Sequence, residues 1–101
     1  MPLLKDVARY VRSKTAGPFW VTVDIFCEDD ASFERVAAAA SLGPEAVGAL
    51  YGAAPENVRI FPDPKLRVLK ISFPRVIVQG SAQDADSHAG QYFVPLLNVS
   101  V

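Results

Sequence analysis

Residues 19–27 alternate without a break. Phe19, Val21, Val23, Ile25 and Cys27 fall on one side of an extended chain, and Trp20, Thr22, Asp24 and Phe26 on the other. Period-two alternation rich in β-branched and aromatic residues predicts a strand with one face packed on a core. Such a strand cannot stand alone. Its apolar side needs a second layer, and its edges need partners.

The flanking segments offer both. Leu4, Val7, Ala8 and Val11 recur at helical spacing, so residues 3–12 read as an amphipathic helix with Lys5, Arg9 and Arg12 along its outer side. Gly17-Pro18 closes the connection to the strand. Glu28-Asp29-Asp30 then supplies an aspartate that caps a helix and opposes its dipole. Phe33, Val36, Ala37 and Ala40 are the expected buried stripe of that helix. Pro44 suits the first position of another, with Val47, Leu50 and Tyr51 inward and Gly52 at its end. Val58 to Phe61 reads as a short strand, Pro62-Asp63-Pro64 as a turn, and Leu66 to Phe73 as a longer strand limited by Pro74, together a hairpin. Residues 79–91 form a polar loop. Leu97, Val99 and Val101 alternate as a final strand.

This order predicts one α+β domain over residues 1–101: a two-layer sandwich of ferredoxin-like character, with a mixed sheet and helices packed on one face. Helices join the strand at 19–27 to the one at 58–61, which predicts a parallel, right-handed crossover, while the remaining strands pair antiparallel. Val21, Val23, Ile25, Val36, Leu50, Ile60, Leu69, Ile71 and Val99 are the expected core.

Composition narrows the function classes. A chain of 101 residues, 50% hydrophobic and 21% charged, suits a single folded core. No apolar run reaches the roughly 18 residues of a membrane span, and Met1-Pro2 opens no signal peptide. The single cysteine, Cys27, excludes an internal disulfide framework and fits a reducing cytoplasm, where it reads as a small core residue. A net charge of −1 argues against general nucleic-acid binding. The charge is uneven: residues 1–18 carry Lys5, Arg9, Arg12 and Lys14 against Asp6, and residues 19–57 carry seven acids against Arg35. A basic segment beside an acidic one suits self-association or docking to a partner, and solvated helix faces give the same tally.

The segment Arg12-Ser13-Lys14-Thr15-Ala16-Gly17 gathers two cations, two hydroxyls and a glycine at an element boundary. Cations and free backbone amides converge on anions, so Arg12, Ser13, Lys14 and Gly17 are candidate anion ligands, with Asp24 as a carboxylate that stands in for one. The plainer reading is a solvated helix end whose basic residues oppose the dipole. As exposed charges, Arg12 and Lys14 are expected to contribute only about 0–1 kcal/mol to folding. Asp24 itself is either an exposed strand carboxylate or a buried one paired with Arg12, Lys14 or Arg75, because burial without a partner is costly. Asp84, Asp86 and His88 have a spacing a metal can use, but no second His or Cys completes a structural zinc site. No Walker phosphate loop occurs, no catalytic motif is complete, and no metal or cofactor is expected.

Arg12 to Gly17 ahead of a strand, Val23-Asp24-Ile25, Leu50-Tyr51-Gly52, the hairpin from Val58 to Phe73 and Pro95-Leu96-Leu97 together carry a resemblance that spans nearly the whole chain. It resembles a small uncharacterised bacterial domain family similar to the C-terminal ferredoxin-like domain of acyclic-terpene-utilisation A (AtuA-like) proteins. In those larger proteins the first piece is an Arg-Ser-Gly-Asp-Lys-Gly type loop; here the acidic residue is missing and the lysine has moved. The resemblance implies an accessory role in catabolism of branched or terpenoid acids, beside a larger partner. Two function classes follow. One is a non-catalytic accessory or interaction subunit, as a homo-oligomer or with an AtuA-like protein. The other is a binding protein for a small carboxylate or phosphate, or a small enzyme, with a site formed between subunits from the segments at 12–17 and 79–91.

Overall fold

The computed structural model of the chain describes residues 2–17, 19–75 and 93–101. Its frame is a sheet of β1 (Tyr10–Thr15), β2 (Trp20–Phe26), β3 (Arg59–Asp63) and β4 (Val68–Pro74), arranged β1-β2-β4-β3. Helices α1 (Leu4–Val7), α2 (Asp30–Ala38) and α3 (Pro44–Tyr51) add a second layer, so the fold is α+β. Every neighbouring strand pair is antiparallel, which corrects the expected mixed sheet. β2 and β3 do point the same way, since both oppose β4, but β4 lies between them. The order β-β-α-α-β-β around this sheet also differs from the β-α-β-β-α-β order of ferredoxin-like folds.

β2 is the alternating segment of the sequence, and it is central. Val21, Val23 and Ile25 expose no surface. They share a face with Val11 of β1 and with Leu69, Ile71 and Phe73 of β4 through the strand register. Leu4, Cys27, Phe33, Val36, Leu42, Val47, Val58, Leu96 and Val101 complete the core cluster. Six of the nine expected core residues are buried; Ile60 and Val99 are partly buried and pack against the cluster, and Leu50 is 45% exposed.

The expected helix over residues 3–12 divides in two. One turn, α1, closes with the Ala8 amide donating to the Leu4 carbonyl at 2.9 Å, and Ala8 is already extended. From Tyr10 the chain is β1, with Val11 and Ser13 facing the core and Arg12 and Lys14 facing away. Leu4, Val7, Ala8 and Val11 fit a helix, but Val11, Ser13 and Thr15 also fit a strand. Pairing with β2 over all six residues of β1 decides between them. Gly17, at φ +81°, turns the chain from β1 into β2, a left-handed conformation that glycine takes without a Cβ clash.

Asp29 caps α2 as expected, its Oδ1 accepting from the Ser32 amide at 2.8 Å. Phe33 and Val36 face the core, but Ala37 and Ala40 are exposed because the helix ends at Ala38 and Leu42 takes the next inward position. In α3 the buried positions are Val47 and Gly48, with Tyr51 stacked on Phe73 at 4.3 Å, which rotates Leu50 outward. Gly48 is required there: a Cβ would sit 2.5 Å from the Ala53 carbonyl oxygen. β3 and β4 form the expected hairpin. Arg67, entering β4, has a left-handed backbone at φ 54°. Its carbonyl accepts from the Cys27 amide at 2.8 Å, and its Nε donates to Asp30 at 2.8 Å, so the acidic run after β2 holds the hairpin's end.

The final segment differs from expectation. Val94–Asn98 is a 3-10 turn, with Pro95 near its start where the missing N–H is harmless. Only a bridge from Ser100 to Leu3 follows, flanked by Leu4 amide to Val99 carbonyl at 2.9 Å and Val101 amide to Pro2 carbonyl at 3.0 Å. The polar loop at 79–91 lies outside the described residues.

Ile25→Ala or Ile71→Ala is expected to cost roughly 2–5 kcal/mol in urea unfolding, and Leu50→Ala under about 0.5 kcal/mol. Gly48→Ala should lower the Tm despite alanine's better helix propensity. Ser32, through its amide and hydroxyl, holds the Asp29 carboxyl below its ordinary range. That contribution is present above the ordinary carboxylate pKa and lost as pH falls through the lowered folded value. The Tm deficit of Asp29→Ala should therefore be largest near neutrality and shrink in acid.

Candidate functional site

The antiparallel register sorts the even side of β2 into rows across the sheet face opposite the core. One row runs Tyr10, Phe26, Val68, Asp63; the next Arg12, Asp24, Lys70, Phe61; the next Lys14, Thr22, Ser72, Arg59. Trp20 and Pro74 follow at the end of β2. Residues from four strands thus meet on one surface although they lie up to more than half a chain apart.

Contacts within the rows are specific. Tyr10 stacks on Phe26 with ring centroids 4.3 Å apart, and the Arg12 guanidinium lies 5.1 Å from the Phe26 centroid. Arg59 covers Trp20 at 5.3 Å. Thr22 and Ser72 share a hydroxyl hydrogen bond at 3.1 Å. Cation–ring contacts of this kind are worth about 0.5–1 kcal/mol at exposed sites.

The central feature is Asp24. It is 3% exposed, in the middle of the central strand. Its Oδ2 accepts from Arg12 Nε at 3.3 Å, while Oδ1 has no hydrogen-bond partner among the described residues. Arg12 is itself half exposed, its side chain 55% open. Lys70, across from Asp24 on β4, makes no ion pair among the described residues. Beside this row opens a groove of about 690 Å³, floored by Asp24, Phe26 and Val68 and walled by Phe61, Leu66 and Lys65 of the β3–β4 hairpin.

The sequence candidates are distributed as follows. Arg12 and Asp24 come together as an ion pair, and Lys14 lies on the same face one row away. Ser13 is on the core face, 9% exposed, and its hydroxyl accepts from the Phe93 amide at 3.1 Å. Gly17 is in the β1–β2 turn. The six-residue segment therefore splits between two faces and a turn, because in a strand neighbours point apart. Asp84, Asp86 and His88 lie outside the described residues. Lys70, Lys65, Phe61 and Leu66 were not singled out. The alternation of Lys70 and Ser72 against Leu69, Ile71 and Phe73 marks their face, but only the register with β2 brings Lys70 to Asp24.

Burial shifts two titratable groups near the core. Burial, then the charge of Asp29, pushes the Cys27 thiol up, which disfavours the nucleophilic thiolate. Burial pushes the Tyr51 phenol up as well. Among the described residues no three His, Cys, Asp or Glu side chains gather as a metal would need, and no helix is long and apolar enough to cross a membrane.

The Arg12–Asp24 pair revises what Arg12 contributes to folding. Arg12→Gln leaves a buried carboxylate without its cation and is expected to cost about 1–3 kcal/mol, whereas Lys14→Gln stays within about 0.5 kcal/mol. Adding Asp24→Asn to Arg12→Gln should recover most of the loss. Urea unfolding of the three variants checks this, and equal stability of Arg12→Gln and Lys14→Gln would contradict it.

No curated protein and no solved structure matches the chain. A family model described as Domain of unknown function (DUF4387) matches residues 4–100. That span holds the whole sheet, its helical layer and every residue of the Asp24 face, and the chain belongs to this uncharacterised domain family.

Proposed function

We propose that this chain is a non-catalytic accessory or interaction subunit that works in the cytoplasm beside a larger AtuA-like protein in catabolism of branched or terpenoid acids. One observation carries the docking part. The sheet face opposite the core is covered by no described helix, yet it exposes aromatic surface at Tyr10 and Phe61, 48% and 50% open, among Arg12, Lys14, Arg59 and Lys70. Aromatic and arginine-rich surface is the composition of interface cores rather than of ordinary solvated sheet. The identity of the partner rests on the resemblance of the segments at 12–17, 23–25, 50–52, 58–73 and 95–97 to the AtuA-like C-terminal domain.

Charge favours a hetero-partner over a two-fold pairing of copies through this face. Two copies meeting there, or pairing β1 edge to edge, bring Arg12 and Lys14 against their own equivalents, and like charges directly opposed are unfavourable. A partner surface bearing carboxylates meets the same cations with attraction and gains association rate from it. The second reading, a binding protein for a small carboxylate or phosphate, is favoured by the groove beside Asp24.

Co-expression with an AtuA-like protein encoded in the same genome, followed by light scattering on the eluted peak, tests the docking role. A complex of defined stoichiometry is expected, weakened by Phe61→Glu and Lys14→Glu and unaffected by Glu34→Lys on α2. Separate elution of the two proteins, or equal weakening by the α2 variant, would overturn it.

A further inference from the structure

We propose that the groove between Asp24 and the β3–β4 hairpin is a binding site for a small amphipathic carboxylic acid that carries a hydroxyl near its carboxylate. This goes beyond the docking role and needs no partner. Four observations support it.

The first is size. About 690 Å³ falls within the roughly 300–1,000 Å³ of small-molecule sites. The second is the wall chemistry. Phe26, Phe61, Leu66 and Val68 line the groove, and Phe61 and Leu66 are 50% and 70% exposed, a cost that an apolar ligand body removes.

The third is the cation set. Lys65 and Lys70 line the groove and make no ion pair among the described residues; its acids are Asp24 and Asp63, whose Oδ1 accepts from the Leu66 amide at 3.2 Å. With Arg12, the lining holds three cations against two carboxylates, a net charge of +1 that suits a monoanion. A phosphate dianion is less well served: no helix N-terminus lines the groove, and Asp24 and Asp63 oppose a second negative charge.

The fourth is Asp24. An ionised carboxylate is an acceptor only, and its buried Oδ1 lacks a donor among the described residues. A ligand hydroxyl supplies one. Arg12 reaches only Oδ2 and its own side chain is 55% exposed, so it has room to turn toward solvent as a ligand hydroxyl replaces it as a donor to the carboxylate. Asp24 and Lys70 are direct cross-strand neighbours, a relation that places their Cβ atoms about 4.5–5.5 Å apart. A hydroxyl close to the carboxylate, as in a 2- or 3-hydroxy acid, fits this neighbouring pair, with the aliphatic body extending over Phe26 and Phe61.

Amide NMR titration of the isolated chain tests this with four probes: β-hydroxyoctanoate, octanoate, octylamine and inorganic phosphate. Saturable shifts centred on residues 24–26 and 61–70 are expected with β-hydroxyoctanoate. Octanoate should bind about tenfold more weakly, for want of the hydrogen bond to the Asp24 carboxylate. Octylamine and phosphate should not saturate. Lys70→Gln should weaken β-hydroxyoctanoate about tenfold, with Lys65→Gln as the second variant, and Lys5→Gln should change nothing. The dispersed amide spectrum of each variant confirms its fold in the same experiment. Absence of saturable binding by either acid, equal affinity for octanoate and the hydroxy acid, equal binding of octylamine, or affinity unchanged in both lysine variants would each overturn the proposal. Binding by the isolated chain without a complex in the co-expression experiment separates this site from the docking role.

Discussion

β2 is hydrogen-bonded along both edges and buried at five consecutive positions, and the other elements take their places from it. Its odd positions are fully apolar and draw α2, α3 and the 3-10 turns onto one side. Its even positions cannot be treated the same way, because Thr22 and Asp24 are polar and buried too. Each needs a partner from a neighbouring strand. Thr22 finds Ser72 on β4 and Asp24 finds Arg12 on β1. These two contacts tie the polar pairing to the same register that the apolar face demands. A slip by one residue would expose Val21, Val23 and Ile25 and strand both polar groups, so the register is specified from both faces.

Where local sequence carried a single period, the structure was legible from it. The strand at 19–27, the Asp29 cap, the helix from Pro44 to Gly52 and the hairpin after Val58 each have one reading, and each is found. Residues 8–15 carried two. Val7, Ala8 and Val11 satisfy a helix as well as Val11, Ser13 and Thr15 satisfy a strand, and a short helix has little cooperative advantage in water. Pairing along β2 outweighs it, and that pairing is non-local. The same physics hid the groove. Arg12, Asp24, Lys70 and Phe61 form a row across four strands, and no periodicity along the chain records which residues a register aligns. The end of the chain was misjudged for a different reason: Leu97, Val99 and Val101 alternate, but Pro95 favours a helical turn, which leaves room for a bridge and not a strand.

The anion-ligand reading of residues 12–17 assumed that consecutive side chains converge, as they do in a loop. In β1 they diverge, and Ser13 is committed to the Phe93 amide on the core side. What remains is a different electrostatic unit. Arg12 is shared between a carboxylate and an aromatic face, two attractions that both favour one guanidinium position. Neither is strong alone at a half-open site. Together they keep a cation over Asp24 at a site open to solvent on the Arg12 side, which distinguishes this pair from a fully buried salt bridge.

The uneven charge of the sequence also acquires a geometry. The acids of the middle segment are partly consumed locally: Asp29 caps α2 and Asp30 holds Arg67. Glu34 and Glu45 remain exposed on the helices, whereas Arg12, Lys14, Arg59 and Lys70 belong to the opposite sheet face. Two layers of opposite character constrain how copies can meet. Sheet face against sheet face is repulsive, and so is helix layer against helix layer. Sheet face against helix layer is attractive, but that contact is head-to-tail and does not close under a two-fold axis, so it propagates rather than ending at a dimer. A carboxylate-bearing partner or ligand seated on the sheet face neutralises the cations that would drive such stacking.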